Sequence, residues 1–240
     1  MNLLVLFGST SDAFVYEPLI EELKKNHTVD FYPLSAHRNP VELDEVLTNS
    51  KHDLIVAGAG ISAHLPGVVA SKVKVPVIGI PVASQFQGFD ALMSIQQMPY
   101  GVPVLTMAPN DWKGTASFIN SWKRESMKLN IVLNPSIKDH EDVITETNRL
   151  KELLEDKNIS YTENVVPHDD KFNIILTNQT DQIYPDAYGI HVPLISKQAR
   201  NSIDHALITF NWVKAGGAWV GVNNSRNAVL MAMKLMNEVK

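Results

Sequence analysis

The segment Asp53–Gly67, DLIVAGAGISAHLPG, joins an apolar run, a small-residue loop and a titratable side chain within fifteen residues. Its start, Leu54–Val56, is typical of a strand buried inside a parallel sheet. The glycines of Ala57–Gly60 permit backbone angles that other residues avoid and let a ligand approach the chain closely. His64 follows, and Pro66 is well placed to open a helix. Because open α/β sheets build sites where their strands end, the segment predicts half of an active site.

Apolar runs on both sides of this segment predict an α/β fold. We expect further strands at Leu3–Phe7, Val29–Leu34, Val75–Val82 and Val102–Met107. Between them apolar residues recur at helical spacing, and Pro40 marks the start of one helix. Strands that alternate with helices of this length imply a parallel sheet with right-handed crossovers.

The same pattern starts again near Lys128. There Ile131–Asp139 aligns with Leu4–Asp12. Further strands are expected at 160–166, 172–176 and 188–194, Pro193 falls on Pro81, and 204–222 follows the course of 90–108. We interpret the chain as a tandem duplication of one βα module, with a catalytic domain at 1–127 and a degenerate copy at 128–240.

The second copy lacks the loops in which chemistry would occur. It has Pro167–Asp170 where the first copy has Ser35–Arg38, and it is too short to hold an equivalent of Ala57–Gly67. Strands kept and loops lost are expected of a repeat retained for packing. We therefore expect the second domain to be non-catalytic.

The composition is that of an ordinary globular protein. The 240 residues are 45% hydrophobic and 20% charged, with a net charge of −5, which argues against nucleic acid and against a basic membrane-binding face. The absence of cysteine excludes disulfides and thiolate chemistry. No basic leader precedes the first apolar run, and no apolar stretch has the length of a membrane span, so we expect a cytoplasmic protein.

Three loops of the first copy follow successive strands and should lie at one edge of the sheet. Gly8–Asp12 combines hydroxyls with free helix amides, which suits an anion. In Ser35–Pro40, His37 can move protons near neutral pH, and the Arg38 guanidinium suits phosphate or carboxylate. The third loop brings His64. Each loop alone is compatible with an ordinary cap or solvated surface, but three in register predict a functional site.

In order and spacing these motifs resemble the 5-(carboxyamino)imidazole ribonucleotide mutase family of purine biosynthesis. The motifs are GSTSD at 8–12, SAHRNP at 35–40, AGAG at 57–60, AHLPG at 63–67, PVIGIPV at 76–82 and QMP at 97–99. The resemblance covers about residues 2–110. It implies a three-layer, flavodoxin-like α/β fold and a homo-oligomer, usually an octamer, with active sites between subunits.

The resemblance also assigns roles to individual residues. The substrate-binding residues would be Ser9, Asp12, Ser35, Arg38, Gly58, Gly60 and Leu65. Among them, Ser9, Asp12 and Arg38 would hold the ribose phosphate, and the others would line the pocket. Of the two catalytic histidines, His37 would shuttle the proton and His64 would close over the imidazole.

The implied reaction moves a carboxylate from the exocyclic nitrogen of an aminoimidazole ribonucleotide to a ring carbon, with no metal or organic cofactor. The trapped carbon dioxide must be kept from water, and a base must take the ring proton after recarboxylation. A neutral histidine suits that relay, and small residues suit a dry pocket.

Several alternatives stay open. The sister class of aminoimidazole ribonucleotide carboxylases uses free carbon dioxide and typically lacks the AHLPG histidine, so His64 favours the mutase. Ile61 stands where the family usually has glycine, which puts the pocket's shape in doubt and makes a different heterocyclic nucleotide conceivable. A non-catalytic nucleotide sensor or scaffold subunit is a further possibility. A Rossmann dinucleotide site is disfavoured because Gly8–Asp12 is not G-x-G-x-x-G.

The duplication suggests an assembly as well. If each chain supplies one active and one inactive module, eight modules need only four chains, so we expect a tetramer that mimics an octamer. Arg200, Asn201 and Arg226 of the second copy could reach a neighbouring subunit.

Overall fold

The computed structural model describes residues 1–122, 128–179 and 182–236, and it contains two parallel sheets. The strands of the first are β1 (Asn2–Phe7), β2 (Thr28–Tyr32), β3 (Leu54–Ala59), β4 (Val77–Pro81) and β5 (Leu105–Thr106). Its helices are α1 (Ala13–Leu23), α2 (Pro40–Thr48), α3 (Leu65–Lys72), α4 (Phe89–Gln96) and α5 (Trp112–Ser121). The second sheet contains β6 (Leu129–Val132), β7 (Tyr161–Asn164), β8 (Phe172–Thr177) and β9 (Gly189–Pro193), with α6 (Glu141–Asp156), α7 (Ile203–Lys214) and α8 (Ser225–Met236).

The first sheet has the strand order β2-β1-β3-β4-β5, which is the flavodoxin-like order. Its central strands β1, β3 and β4 are buried on both faces because helices cover both, and this explains their continuous apolar sequences. The order reverses between β1 and β3, and a crevice opens outside their carboxyl ends at such a point. The predicted α/β, flavodoxin-like fold class is confirmed.

The second sheet repeats the order as β7-β6-β8-β9, again all parallel, so the predicted tandem duplication of the fold is confirmed. Pro81 ends β4 and pairs with Ala59, and Pro193 ends β9 and pairs with Thr177. The two prolines therefore occupy the same place in their sheets, as their alignment predicts.

A fifth strand of the second sheet is reduced to a bridge at Trp219. This residue pairs in parallel with His191 of β9 and antiparallel with Thr106 of β5. The backbone N–H of Trp219 donates to the Thr106 carbonyl at 2.9 Å, and the Thr106 N–H donates back at 2.8 Å. The two sheets thus meet edge to edge, running in opposite directions across the Trp219 seam.

Several strands end earlier than the apolar runs predict. β5 covers Leu105–Thr106 and not Val102–Met107, because Pro103 has no N–H to give to a ladder. β2 ends at Tyr32, directly before Pro33, and not at Leu34. In the second half, the strand expected at 160–166 covers Tyr161–Asn164. Proline near a strand end is the common cause in the first half.

The second half is thinner on one side. Within the described residues, no helix lies between β7 and β8 or between β8 and β9, where α2 and α3 stand in the first half. The strand face left without helices carries the buried amides Asn130 and Asn173, which bond to each other at 2.9 Å. Asn173 also donates to the carbonyl of His168 at 3.0 Å and of Tyr188 at 3.0 Å. Polar contacts with loops therefore replace the missing helical layer.

The halves share a core. One apolar cluster extends from Leu3 and Val5 to Ile174 and Met231, and the Trp122 indole after α5 donates to the Leu235 carbonyl in α8 at 3.1 Å. The predicted boundary at 127–128 adjoins residues 123–127, which lie outside the described part of the chain. The division into two domains stays a prediction. In the described ranges, none of the helices has the length and apolarity needed to cross a bilayer.

Candidate functional site

A cavity of about 350 Å³ opens at the carboxyl ends of β1 and β3, where the strand order reverses. Four loops surround it, one after each of β1, β2, β3 and β4. Its lining residues are Gly8, Ser9, Ser11, Asp12, Ser35, Ala36, His37, Arg38, Ala59, Gly60, Ile61, Ala63, His64, Leu65 and Ser84. The loops lie together because parallel strands end at one edge of their sheet.

The loop after β1 presents hydroxyl groups in a chain of hydrogen bonds. The Ser9 and Ser11 hydroxyls are 2.7 Å apart, and the Ser11 hydroxyl donates to Asp12 Oδ1 at 3.2 Å. Burial raises the pKa of the Asp12 carboxyl, while the Ser11 hydroxyl and the Arg38 charge lower it in part. An ionised Asp12 is therefore held in place at a desolvation cost.

The loop after β2 is a tight turn fixed by Ser35. The Ser35 hydroxyl oxygen accepts from the backbone N–H of His37 at 3.3 Å and of Arg38 at 3.4 Å. Arg38 Nη2 in turn donates to the Gly8 carbonyl at 2.6 Å, which ties this loop to the end of β1. One guanidinium bond is thus used for structure, and the remaining donors of the fork are available at the cavity.

The loop after β3 has a strained backbone. Ile61 has a φ of 43° and Ser62 a φ of 49°, both in the left-handed region that a β-branched residue strongly avoids. The carboxylate of Asp90 accepts from the Ser62 N–H at 2.9 Å and holds this conformation. The Ile61 side chain is 64% exposed, so burial does not offset its strain. The expectation that Ile61 alters the loop is consistent with this geometry.

The two predicted catalytic histidines come together across the cavity. The His37 and His64 rings lie with their centroids 5.0 Å apart and their planes at 69°, in an edge-to-face arrangement. His37 comes from the turn after β2, and His64 precedes the first turn of α3 and accepts from the Val68 N–H through its carbonyl. Residues 27 positions apart in the chain are thus placed to act on one ligand.

The structure brings together eight of the nine predicted site residues. These are Ser9, Asp12, Ser35, His37, Arg38, Gly60, His64 and Leu65. Gly58 is not among the lining residues: a Cβ at this position would lie 2.2 Å from the Phe7 ring, so the glycine serves close packing inside the sheet. Its carbonyl accepts from the Gly8 N–H at 3.0 Å. The roles given to the eight residues stay predictions.

Ser84 and Asp90 were missed as site residues from the sequence. Ser84 follows β4, so the rule that strands of a parallel sheet end at one edge also applied to it. Asp90 acts through a hydrogen bond to a loop 28 residues earlier, which no local pattern signals. Among the described residues, no group of three His, Asp or Glu side chains is placed to hold a metal ion. That no cofactor is needed stays a prediction.

His191, on β9 in the second half, is a contrasting histidine. It is fully buried and stacks on Trp219 with ring centroids 4.5 Å apart. Its Nε2 accepts from the Tyr184 N–H at 3.0 Å, and its Nδ1 lies 3.2 Å from the Ala218 carbonyl, so Nδ1 carries the proton. Desolvation lowers the pKa of His191 to about 4. This imidazole is neutral at neutral pH and serves structure.

Comparison with known proteins points to one family. The family model described as AIR carboxylase matches residues 2–128. An N5-carboxyaminoimidazole ribonucleotide mutase of Methanocaldococcus jannaschii is 46% identical over 105 residues, which are 43% of this chain and 66% of that protein. The mutase of Saccharolobus solfataricus is 42% identical over 118 residues, or 47% of this chain and 74% of that protein.

Among solved structures, the crystal structure of Treponema denticola PurE is 24% identical to this chain, with a TM-score of 0.44, and covers 66% of this chain and 98% of that one. The chain spans about two thirds of the length of the mutases it matches. The family model covers more than half of the 240 residues and includes all four loops of the cavity. The chain therefore belongs to the AIR carboxylase family.

Proposed function

We propose that the chain is an N5-carboxyaminoimidazole ribonucleotide mutase of purine biosynthesis. The observation that carries this proposal is the edge-to-face contact of His37 and His64 above a cavity that also holds Arg38 and the serines of the β1 loop. Two imidazoles beside an anion-binding surface suit an anionic heterocyclic substrate whose reaction includes a proton transfer. The named relatives support the same assignment.

The ribose phosphate binds at the β1 and β2 loops. Arg38 supplies a positive charge and planar donors, and the Ser9 and Ser11 hydroxyls supply further donors at the same end of the cavity. Asp12 is an acceptor and would repel a phosphate oxygen at close range. Its role is to orient the Ser11 hydroxyl and to balance Arg38.

The chemistry takes place in the cavity beside the His37–His64 pair. The bond between the exocyclic nitrogen and the carboxylate carbon breaks, which leaves the amine and releases carbon dioxide inside the cavity. The ring carbon then attacks that carbon dioxide and forms a new carbon–carbon bond. His37 gives a proton to the nitrogen as the first bond breaks and takes the ring proton after the second bond forms, so no net proton is consumed.

The loop over the imidazole keeps carbon dioxide inside. Ala59, Ala63 and Leu65 give this side of the cavity an apolar wall, and His64 lies across it from His37. Exclusion of water favours recapture of the intermediate over its escape. The left-handed backbone at Ile61 and Ser62 bends the loop, which lets His64 start α3 directly beside the cavity.

The second half serves as a non-catalytic repeat, and the chain divides into a catalytic domain at 1–127 and this repeat at 128–240. Four such chains would bring eight modules together, so a cytoplasmic homotetramer is the expected form. Light scattering or sedimentation should give the mass of four chains. A monomer or a particle of eight chains would contradict this assembly.

A direct assay tests the reaction. The purified chain is given N5-carboxyaminoimidazole ribonucleotide, and separately aminoimidazole ribonucleotide with and without bicarbonate, while formation of the C-carboxylated product is followed. Turnover of the first substrate without bicarbonate is expected. Turnover of the second alone, and only with bicarbonate, would instead identify a carboxylase that uses free carbon dioxide. Binding of both without turnover would indicate a nucleotide sensor.

A further inference from the structure

We propose that the second half positions His64 by clamping the base of α3 through Lys234, with Asn224 as a second anchor. This inference rests on the proposed function, because it concerns the same site. It gives the second half a part in turnover, although none of the described residues of that half lines the cavity. Lys234 and Asn224 are positioning residues in this proposal, since neither touches the cavity.

Lys234 reaches from α8 to the end of the helix that begins beside His64. Its Nζ donates to the backbone carbonyls of Val73 at 3.1 Å, Lys74 at 2.9 Å and Val75 at 3.4 Å. These residues directly follow α3 and form the connection between its last residue, Lys72, and β4. A cation at this place also opposes the negative end of the helix dipole. The ammonium group therefore fixes the connection that leads out of α3.

The Lys234 contacts lie at the edge of the first sheet where β4 begins, and the cavity lies at the opposite edge, where the strands end. α3 begins at the edge where the strands end and runs to the edge where β4 begins, so its two ends belong to the site and to the clamp. The helix has eight residues. In such a short helix a shift of one end is transmitted to the other, because the backbone hydrogen bonds link all of its turns.

A second set of contacts fixes the segment on which α3 packs. Asn224 Nδ2 donates to the Met98 carbonyl at 3.0 Å, and Asn227 accepts from the Gly101 N–H and donates to the Pro99 carbonyl, both at 3.0 Å. The Arg226 guanidinium lies 4.0 Å from the centre of the Tyr100 ring. Arg226, considered from the sequence as a contact to a neighbouring subunit, thus has a partner in its own chain.

Met98 connects this segment to α3. A Cβ added at Gly67, in the first turn of α3, would be 3.1 Å from the Met98 sulfur, so the two are in close contact. The Asn224 bond to Met98 and the Lys234 bonds to the connection after α3 therefore hold α3 from two directions. Both anchors come from the last helix of the chain or the residue before it. The separation of His37 and His64 follows from where α3 sits.

The test compares three variants of the full chain. Lys234→Met keeps the apolar stem and removes the donors. Asn224→Ala removes two hydrogen bonds, the one donated to the Met98 carbonyl and the one accepted from the Asn227 N–H at 3.3 Å. Lys197→Met is the matched control. Lys197 is also in the second half, and its side chain is 75% exposed and paired with Glu141 at 3.5 Å, an arrangement of little energetic weight. Hydrogen exchange of residues 63–73 and steady-state kinetics are measured for each.

In Lys234→Met, exchange of the α3 amides should accelerate, and kcat should fall about tenfold with KM within about threefold, since small misplacement of a catalytic group is costly. Asn224→Ala should change both in the same direction but less, and Lys197→Met should change neither. Lys234→Arg should recover part of kcat.

Unchanged exchange and unchanged kcat in a folded Lys234→Met protein would overturn the proposal. A loss of thermal stability with kcat unchanged would do the same, because it would show a purely structural role. If Lys234→Met does not fold, Asn224→Ala decides by the same two measurements. If the wild-type chain turns over no aminoimidazole ribonucleotide, the proposed function fails. Hydrogen exchange of residues 63–73 in Lys234→Met still shows whether Lys234 holds α3 in place.

Discussion

The two halves of this chain share a strand order but differ in where their backbones are strained. Seven non-glycine residues in the described ranges have a left-handed φ. Three of them are asparagines, at 110, 158 and 223, and asparagine tolerates this conformation best. The other four are Ile61, Ser62, Phe86 and Gln87, and all lie in the loops after β3 and β4 of the first half.

The two halves also differ in what surrounds the ends of their strands. In the first half, unfavourable backbone angles occur beside the cavity, and the Asp90 carboxylate holds one of them by accepting from the Ser62 N–H. In the described residues of the second half, no α-helix stands between β7 and β8 or between β8 and β9, and the buried polar groups Asn173 and His191 have hydrogen-bond partners. In the described residues, left-handed backbone at residues other than asparagine and glycine lies only in the loops after β3 and β4, beside the cavity of the first half.

The largest expected effect is on the histidine pair. His37→Asn and His64→Asn should each reduce kcat by about 10²- to 10⁴-fold, the range for loss of a general acid–base group. Ligand affinity should stay within about tenfold, or ~1.4 kcal/mol. Steady-state kinetics measures kcat, and calorimetric titration measures the ligand affinity.

The control for this prediction is His168→Asn in the second half. His168 is half-exposed and ion-paired with Asp170, and it occupies the place where the first half has its His-Arg loop. Its replacement should leave kcat unchanged. Retained turnover in His37→Asn would remove that residue's assigned role.

Arg38→Ala should mainly weaken binding. Loss of a charge-assisted hydrogen bond to phosphate costs about 1.5–3 kcal/mol, or roughly a ten- to hundredfold rise in Kd. Isothermal titration with the ribonucleotide and with its dephosphorylated nucleoside gives the comparison. Lys197→Ala, which removes an exposed cation of the second half, serves as control and should bind normally. Equal loss for nucleotide and nucleoside would contradict phosphate recognition by Arg38.

His191 should make the second half acid-sensitive. Because its pKa is about 4 in the folded chain and near 6.5 when unfolded, the stability it contributes is present above pH 6.5 and is lost as pH falls towards 4. Between pH 7 and pH 5 this amounts to about 2 kcal/mol. Urea unfolding of the wild type and of His191→Asn at both pH values isolates the contribution of His191 to the free energy of unfolding. An equal pH dependence in the two proteins would refute it.

The smallest expected effect is a gain in stability. Ile61→Gly should raise the free energy of unfolding by about 1 kcal/mol, because glycine adopts a left-handed φ without steric cost. Val165→Gly is the matched control: Val165 is also an exposed β-branched loop residue, but its φ is not left-handed. That substitution should destabilise by up to about 1 kcal/mol. Urea unfolding measures both, and a destabilised Ile61→Gly would show that the loop is unstrained.

Much of the fold was predictable because it depends on periodic apolar runs. Buried strands such as β1 and β3 have sequences that suit both covered faces, and the second copy could be recognised by the same runs and by Pro193. The Trp219 seam could not be predicted, because one bridging residue has no periodicity. Strand lengths were overestimated where proline interrupts an apolar run, as in β5.

The site was predictable where one topological rule gathers residues. Loops that follow strands of a parallel sheet share an edge, which places Ser9, His37 and His64 at one cavity. Gly58 was predicted to line the pocket, but it packs against the Phe7 ring. A glycine that makes room for a ligand and one that makes room for a neighbouring side chain cannot be told apart in the sequence. The contacts of Asp90 and Lys234 are long-range side-chain bonds, and these depend on packing that no local pattern encodes.

The Trp219 seam has one consequence for how the molecule responds to dilution. Two copies of a fold that pair at their sheet edges would, as separate chains, come apart when the protein is scarce. Here both partners are on one polypeptide, so their encounter is intramolecular and its equilibrium does not depend on protein concentration. Whatever further assembly the chain enters, each molecule already carries both partners of this edge pairing.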